Sequence, residues 1–202
     1  MLAATIRNEP GDFVVTERID FDLSGDGEHD FLWIEKIGAN TAWVSRQLVQ
    51  HANVRPVDVG YAGLKDRHAI TTQWFSVRRP SGDGTDWTTF DAEGVRILEI
   101  KRHNRKLRRG AHRANAFRIA LRSTGIDGLH DEIIERVQVI RDYGVPNYFG
   151  DQRFGREGGN LGLAEAVFAG RRVKRDKRSI AISAATRLTS SAYAASKYLS
   201  ST

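Results

Sequence analysis

Between residues 29 and 37 the side chains alternate with a period of two, with Phe31, Trp33 and Glu35 on one face and Leu32, Ile34 and Lys36 on the other. Apolar residues on both faces predict a strand covered from both sides. Upstream, a Pro10-Gly11 turn feeds a valine-rich strand within 5–19, and 20–28 reads as an acidic, glycine-containing, solvated loop. The period then changes. Ala42, Val44, Leu48 and Val49 form an apolar stripe at helical spacing, capped by Asn40 or Thr41, which predicts a packing helix to about His51. Pro56 ends the connection, Val57, Val59 and Tyr61 lead on, and strand character returns at Thr71, Thr72, Trp74, Phe75 and Val77. Strand, helix and strand in that order predict an α+β fold rather than an all-β one.

Residues 79–89 then read as a polar loop, Val95, Ile97 and Ile100 mark a strand, and 117–121 alternate as another. Leu129, Ile133, Ile134, Val137 and Ile140 give helical spacing over 126–140, with Gly144 and Pro146 to stop it. A helix is expected over about 161–169, and a last one, rich in Ala and Ser, carries Leu188, Tyr193, Tyr198 and Leu199.

Composition narrows the classes. At 202 residues, 40% hydrophobic and 28% charged, the chain has material for one substantial globular domain, or for one domain and part of a second. No apolar run approaches the ~20 residues a membrane-spanning helix needs, and the N-terminus has no basic region leading into an apolar core, so a cytoplasmic location is expected. The absence of cysteine excludes disulfides, thiolate metal sites and a thiol nucleophile, and six dispersed histidines make a histidine-rich metal site unexpected.

A formal net charge of +6 favours an acidic partner such as nucleic acid, provided the charge is clustered. It is: Lys101, Arg102, Arg105, Lys106, Arg108, Arg109 and Arg113 fall within 101–113, a segment without an acid. Strands flank it, so a short ordered loop or hairpin presenting its cations together is expected. Each phosphate such a loop neutralised would add roughly −0.7 to −0.9 to the slope of log affinity against log salt. A solvated charged face is the plainer reading.

Two stretches carry candidate chemistry. In 60–77, Gly60 and Gly63 punctuate an apolar lead-in that ends at Asp66, set between Lys65 and Arg67. Glycines inside a strand pattern mark a bulge or a close backbone approach, where a reacting group can be aimed at a ligand. In 145–155, Asn147, Tyr148, Phe149 and Arg153 share a glycine-bounded loop, side chains suited to stacking on a base and hydrogen-bonding its edge. An ordinary surface turn and a loop plugged by its own aromatics are the plain readings. Taken whole, the two runs resemble the signatures of the TruD family of tRNA pseudouridine synthases. Residues 10–15, Pro-Gly-Asp-Phe-Val-Val, together with Leu107, Gly110, Asn115 and Phe117, match weaker family patterns, so the resemblance runs in order from about 5 to 190.

The resemblance implies a pseudouridine synthase-like catalytic domain with a mixed, mainly antiparallel sheet and packed helices. It implies isomerisation of uridine to pseudouridine in tRNA, usually at uridine 13 of the D arm, without metal or cofactor. Asp66 corresponds to the catalytic aspartate, acting as nucleophile or as base at the sugar. A neighbouring cation favours the carboxylate form, and Arg7, where the family more often has lysine, is the candidate partner. Phe149 corresponds to the active-site aromatic and Asn147 to a pocket amide. Phe13 either approaches the site or anchors its strand in the core. The seven cations of 101–113, with Lys65 and Arg67, are the expected RNA contacts, and His68, Thr71 and Gln73 are support or contact residues. Family members are longer, so residues 1–170 are expected to form the N-terminal portion of the catalytic domain and 171–202 the start of an inserted domain, with the C-terminal completion lacking.

Two other readings remain. Asp91, Glu99 and Lys101 have the acid, acid-x-lysine spacing of a magnesium-dependent nuclease. A fragment that binds tRNA without turning it over would show steep salt dependence and no isomerisation.

Overall fold

The computed structural model describes residues 4–79, 84–123, 130–144 and 159–174. The chain forms two compact units, residues 1–126 and 127–202. Asn147, Phe149 and the helix expected around 188–199 lie outside the described residues.

The first unit is a six-stranded sheet. Its strands are β1 (Phe13–Arg18), β2 (His29–Ile37), β3 (Val59–Tyr61), β4 (Ile70–Arg78), β5 (Val95–His103) and β6 (Ala114–Ile119). They run in the order β5-β2-β4-β1-β6, with β3 also beside β4. Only β1 and β4 pair in parallel, so the sheet is mixed and mainly antiparallel. β2 pairs with β4 along its whole length, from His29 opposite Arg78 to Ile37 opposite Ile70. The other edge of β4 is shared: β1 pairs with Ile70, Thr71 and Thr72, and β3 with Phe75, Ser76 and Val77. Gln73 and Trp74 therefore face a fork between two strands, β1 on one side and β3 on the other.

Helix α1 (Thr41–His51) starts where the sequence predicts, with the Asn40 side chain accepting from Trp43 N at 3.0 Å. It stops at Asn53, whose φ of 49° is tolerated by a side chain that can bond locally. Val44 and Leu48 are wholly buried against Leu32, Ile34, Phe75 and Val77. Each such side chain contributes roughly 1.5–3 kcal/mol of burial. The opposite face of the sheet holds Phe31, Trp74, Ala62 and Leu107, so β2 is covered on both sides as expected, and β4 beside it is covered too.

The basic segment is not a hairpin. β5 and β6 lie at opposite edges of the sheet, so the chain between them crosses it. It docks through Leu107, whose N–H donates to Ser76 Oγ of β4 at 3.0 Å and whose carbonyl lies against Gly60 of β3. Gly60 permits this approach, since a Cβ there would stand 2.3 Å from Leu107 O.

In the second unit α2 (His130–Tyr143) ends at Gly144, whose φ is 75° and whose N–H returns to Ile140 O at 2.8 Å. α3 spans Gly159–Phe168. Among the described residues no helix is long and apolar enough to cross a membrane.

Candidate active site around Asp66

Between β3 and β4 the chain leaves the sheet, and Asp66 stands in this loop. Side chains from fixed elements hold the loop's backbone. Thr41 Oγ1, at the start of α1, accepts from Lys65 N at 2.9 Å and donates to Gln73 Oε1 at 2.9 Å. Gln73 Nε2 then donates to Gly63 O at 3.1 Å. Lys36 Nζ donates to Asp66 O and Ala39 O, both at 2.8 Å, and approaches Lys65 O at 3.4 Å. Arg67 Nε donates to Gly38 O at 2.8 Å. Backbone polar groups that leave a sheet near its core need such partners.

Arg7 meets the Asp66 side chain: its Nη2 donates to Oδ2 at 3.0 Å, with the two side chains 38% and 36% exposed. A ligand can therefore reach the pair. Arg7 has a φ of 63°, unusual for a residue with a Cβ. Anchors on both sides hold it there. Thr5 bridges to Arg122, and Asp12 in the Pro10–Asp12 turn binds the Arg122 guanidinium through both carboxylate oxygens, at 2.7–3.0 Å. The Arg7 guanidinium lies 3.9 Å above the Phe13 ring, which is itself buried. Phe13 thus packs in the core and supports the cation on Asp66.

Lys65 corrects the sequence reading of it as an RNA contact. Its side chain is buried, and Nζ donates to Glu17 Oε2 at 2.7 Å. Glu17 fills the fork in the sheet, where its other oxygen accepts from Trp74 N at 3.1 Å. Because the loop is irregular rather than extended, Lys65 turns inward instead of standing beside Asp66 on the surface. Thr71 and Gln73 are buried as well, whereas His68 is exposed. Glu17 and Lys36 were not singled out from sequence, although both occupy inward registers of their strands, a signal that a charged group is being held inside.

Lys36 is fully buried. Desolvation pushes its ammonium from 10.5 down to about 8, with Asp66 opposing the shift and Lys65 adding to it.

Along the basic segment, Gly110 N–H donates to Ala62 O at 2.8 Å, tying this segment to the Asp66 loop. Arg109 lies 3.7 Å over the Tyr61 ring. Arg102 donates to Gly27 O, Lys106 to Val57 O, and Lys101 pairs with Glu99. Arg105, Arg108 and Arg113 are exposed and have no acidic partner among the described residues. Arg105 and Arg108 border an open cleft of about 940 Å³, which Phe21, His29, Phe31 and His103 also line.

The nuclease pattern does not assemble. Glu99 Oε1 lies 2.7 Å from Lys101 Nζ, and among the described residues no three His, Cys, Asp or Glu side chains gather to hold a metal ion.

Comparison with known proteins gives a consistent picture. The family model for tRNA pseudouridine synthase D (TruD) matches residues 2–171. A tRNA pseudouridine synthase D of Methylococcus capsulatus is 51% identical over 182 residues, covering 89% of this chain and 51% of the relative. That of Cellvibrio japonicus is 48% identical over 188 residues, covering 91% and 56%. The chain thus spans about half the length of the curated relatives it matches. A solved structure from Methanosarcina mazei, described as a tRNA pseudouridine synthase D, superposes with a TM-score of 0.70 at 24% identity, over 84% of this chain and 39% of that one. At that identity the match speaks to the fold.

Proposed function

The chain belongs to the TruD family of tRNA pseudouridine synthases, and on that premise we propose that it isomerises uridine to pseudouridine in tRNA, with Asp66 as the reacting group. The observation that carries this reading is the Arg7–Asp66 pair, open to a ligand and mounted on a loop whose backbone is fixed from below. Arg7 occupies Oδ2, and Oδ1 has no hydrogen-bond partner among the described residues. The reaction breaks the bond from N1 to the sugar, turns the uracil while it is held, and joins C5 to the same sugar carbon; C5 loses a proton and N1 gains one. No electrons are exchanged with a partner, so no redox cofactor enters the balance. Oδ1 of Asp66 acts at the sugar, as nucleophile or base, and Arg7 holds the carboxylate in place.

The target nucleotide has to leave its stack, at a cost of a few kcal/mol. Exposed cations on the basic segment, foremost Arg105, Arg108 and Arg113, offset that cost by gripping the RNA backbone, with Arg67 and Arg109 beside the Asp66 loop. Family resemblance assigns Phe149 to stacking on the uracil and Asn147 to hydrogen-bonding its edge, uridine 13 as the target, residues 1–170 as the N-terminal part of the catalytic domain, and 171–202 as the start of an inserted domain.

The test is incubation of unmodified tRNA with this chain and with Asp66→Asn, in EDTA, with pseudouridine mapped by position. Product at uridine 13 from the parent alone is expected. Product elsewhere would correct the target, and tRNA binding with no product from the parent would make this a binding portion that does not turn over.

A further inference from the structure

Lys36, the penultimate residue of β2, stands in the inward register of Leu32 and Ile34, where an apolar residue would continue the pattern. Instead it carries an ammonium with no exposed surface. Its three N–H donors meet three carbonyl oxygens, those of Ala39, Asp66 and Lys65, at 2.8, 2.8 and 3.4 Å. None of these is a carboxylate. A buried cation satisfied only by carbonyls is costly compared with a packed hydrocarbon, so core packing does not account for lysine here. What lysine does that leucine cannot is tie two consecutive loop residues to the chain at Ala39, just ahead of α1.

We propose that Lys36 is a positioning residue for Asp66: its ammonium pins the loop backbone at Lys65 and Asp66 to the junction of β2 and α1, and so fixes where the Asp66 carboxylate points. The proposal rests on the reading of Asp66 as the reacting group. Thr41 holds the same loop from the amide side, through Lys65 N, so the loop is gripped by both its donors and its acceptors. The charged groups gathered at this point are Asp66 and Lys65 of the loop, Arg7 on Asp66, Arg67 on Gly38 O, and Glu17 of β1 on Lys65. Thr71 of β4, the cross-strand neighbour of Lys36, adds no charge.

The test compares the parent with Lys36→Met, which keeps a stem of similar length and loses the ammonium. In carbon-13-labelled parent protein the carbonyl resonances of Ala39 and Asp66 are expected to move together with a midpoint near 8. In Lys36→Met neither moves over that range. This arm needs no tRNA and no turnover, so it stands even if the isomerase reading fails. In the variant the Lys65 amide exchanges with solvent about 10-fold faster or more, while amides of the β2–β4 ladder keep their protection. Turnover, where the parent shows it, falls at least about 10-fold in kcat with little change in KM, because a misaimed group costs rate rather than binding. Parental kcat is expected to fall as Lys36 loses its proton, at the same midpoint as the carbonyl resonances, and the variant is expected to show no such fall. Ala39 and Asp66 carbonyl resonances that titrate at different midpoints in the parent would overturn the proposal, as would a folded variant with parental Lys65 exchange. Should Lys36→Met not fold, the parental titration decides alone.

Discussion

Arg7 and Asp66 stand 59 positions apart in the chain, and their side chains meet at 3.0 Å through a single oxygen of the carboxylate. Arg7 makes the contact from a left-handed backbone, between Thr5 and Asp12, which both bind Arg122, and over the Phe13 ring. Holding one oxygen while the other has no partner among the described residues is what a reacting carboxylate needs from a neighbour.

Replacing Arg7 with alanine is therefore expected to lower kcat by roughly 10–100-fold with tRNA affinity little changed. Because the pair is more than a third exposed, its loss should cost no more than about 1 kcal/mol of stability. Arg7→Lys keeps the charge and loses the planar fork, and is expected to fall between parent and alanine. Steady-state kinetics beside thermal melting separate the two effects.

The Glu17–Lys65 pair behaves differently, because neither side chain reaches solvent to any extent. Removing only Glu17, as in Glu17→Ala, strands a buried cation and orphans Trp74 N–H, and is expected to cost about 3–5 kcal/mol in urea unfolding. The double change Glu17→Gln with Lys65→Met should recover part of that loss. A double variant no more stable than Glu17→Ala would show that the carboxylate matters beyond its partner.

Arg105, Arg108 and Arg113 are exposed and have no acidic partners among the described residues. Changing all three to alanine is expected to flatten the log affinity against log salt slope for tRNA by about 2, at roughly 0.7–0.9 per lost phosphate contact. Thermal melting should shift little, since no core contact is lost. Lys101→Ala, already paired with Glu99, should change the slope less than any of the three. Filter binding across a salt series measures both.

Asp12 gives an acid-side prediction. Its hydrogen bonds from Arg122 hold the carboxyl below its ordinary value of 3.8. A depressed folded value means that the unfolded chain binds the proton more readily, so this contribution is fully present above that range and is lost as pH falls through it. Melting temperature should drop more steeply between about pH 4 and 2 in the parent than in Asp12→Asn, which cannot form the charged pair. Parallel slopes would show that the Arg122 clamp contributes nothing to folding.

Much of the framework is legible in local pattern. The alternation over 29–37 and the stripe from Ala42 to Val49 correspond closely to β2 and α1, because both elements bury their apolar faces in the same core. Sequence also brought Arg7 to Asp66, through the family pattern on both sides of the Pro10-Gly11 turn. What escaped was tertiary. Sequence places Lys65 with Arg67 among the RNA contacts; the fork between β1 and β3, which no local period encodes, gives it a buried partner instead. Glu17 and Lys36 break the apolar register of their strands, and their partners lie far away in the chain. The basic segment was readable as ordered but not as a crossing, since that depends on β5 and β6 lying at opposite edges.

The most direct measurement is release of tritium from tRNA carrying uridine tritiated at C5, under single-turnover conditions with EDTA, for the parent and for Asp66→Asn. Release by the parent, lowered on the order of 10³-fold or more by the substitution, is the expected result. Equal release by the two chains would contradict the assignment of Asp66 as the group that drives isomerisation, and none from a parent that still binds tRNA would contradict turnover by this chain.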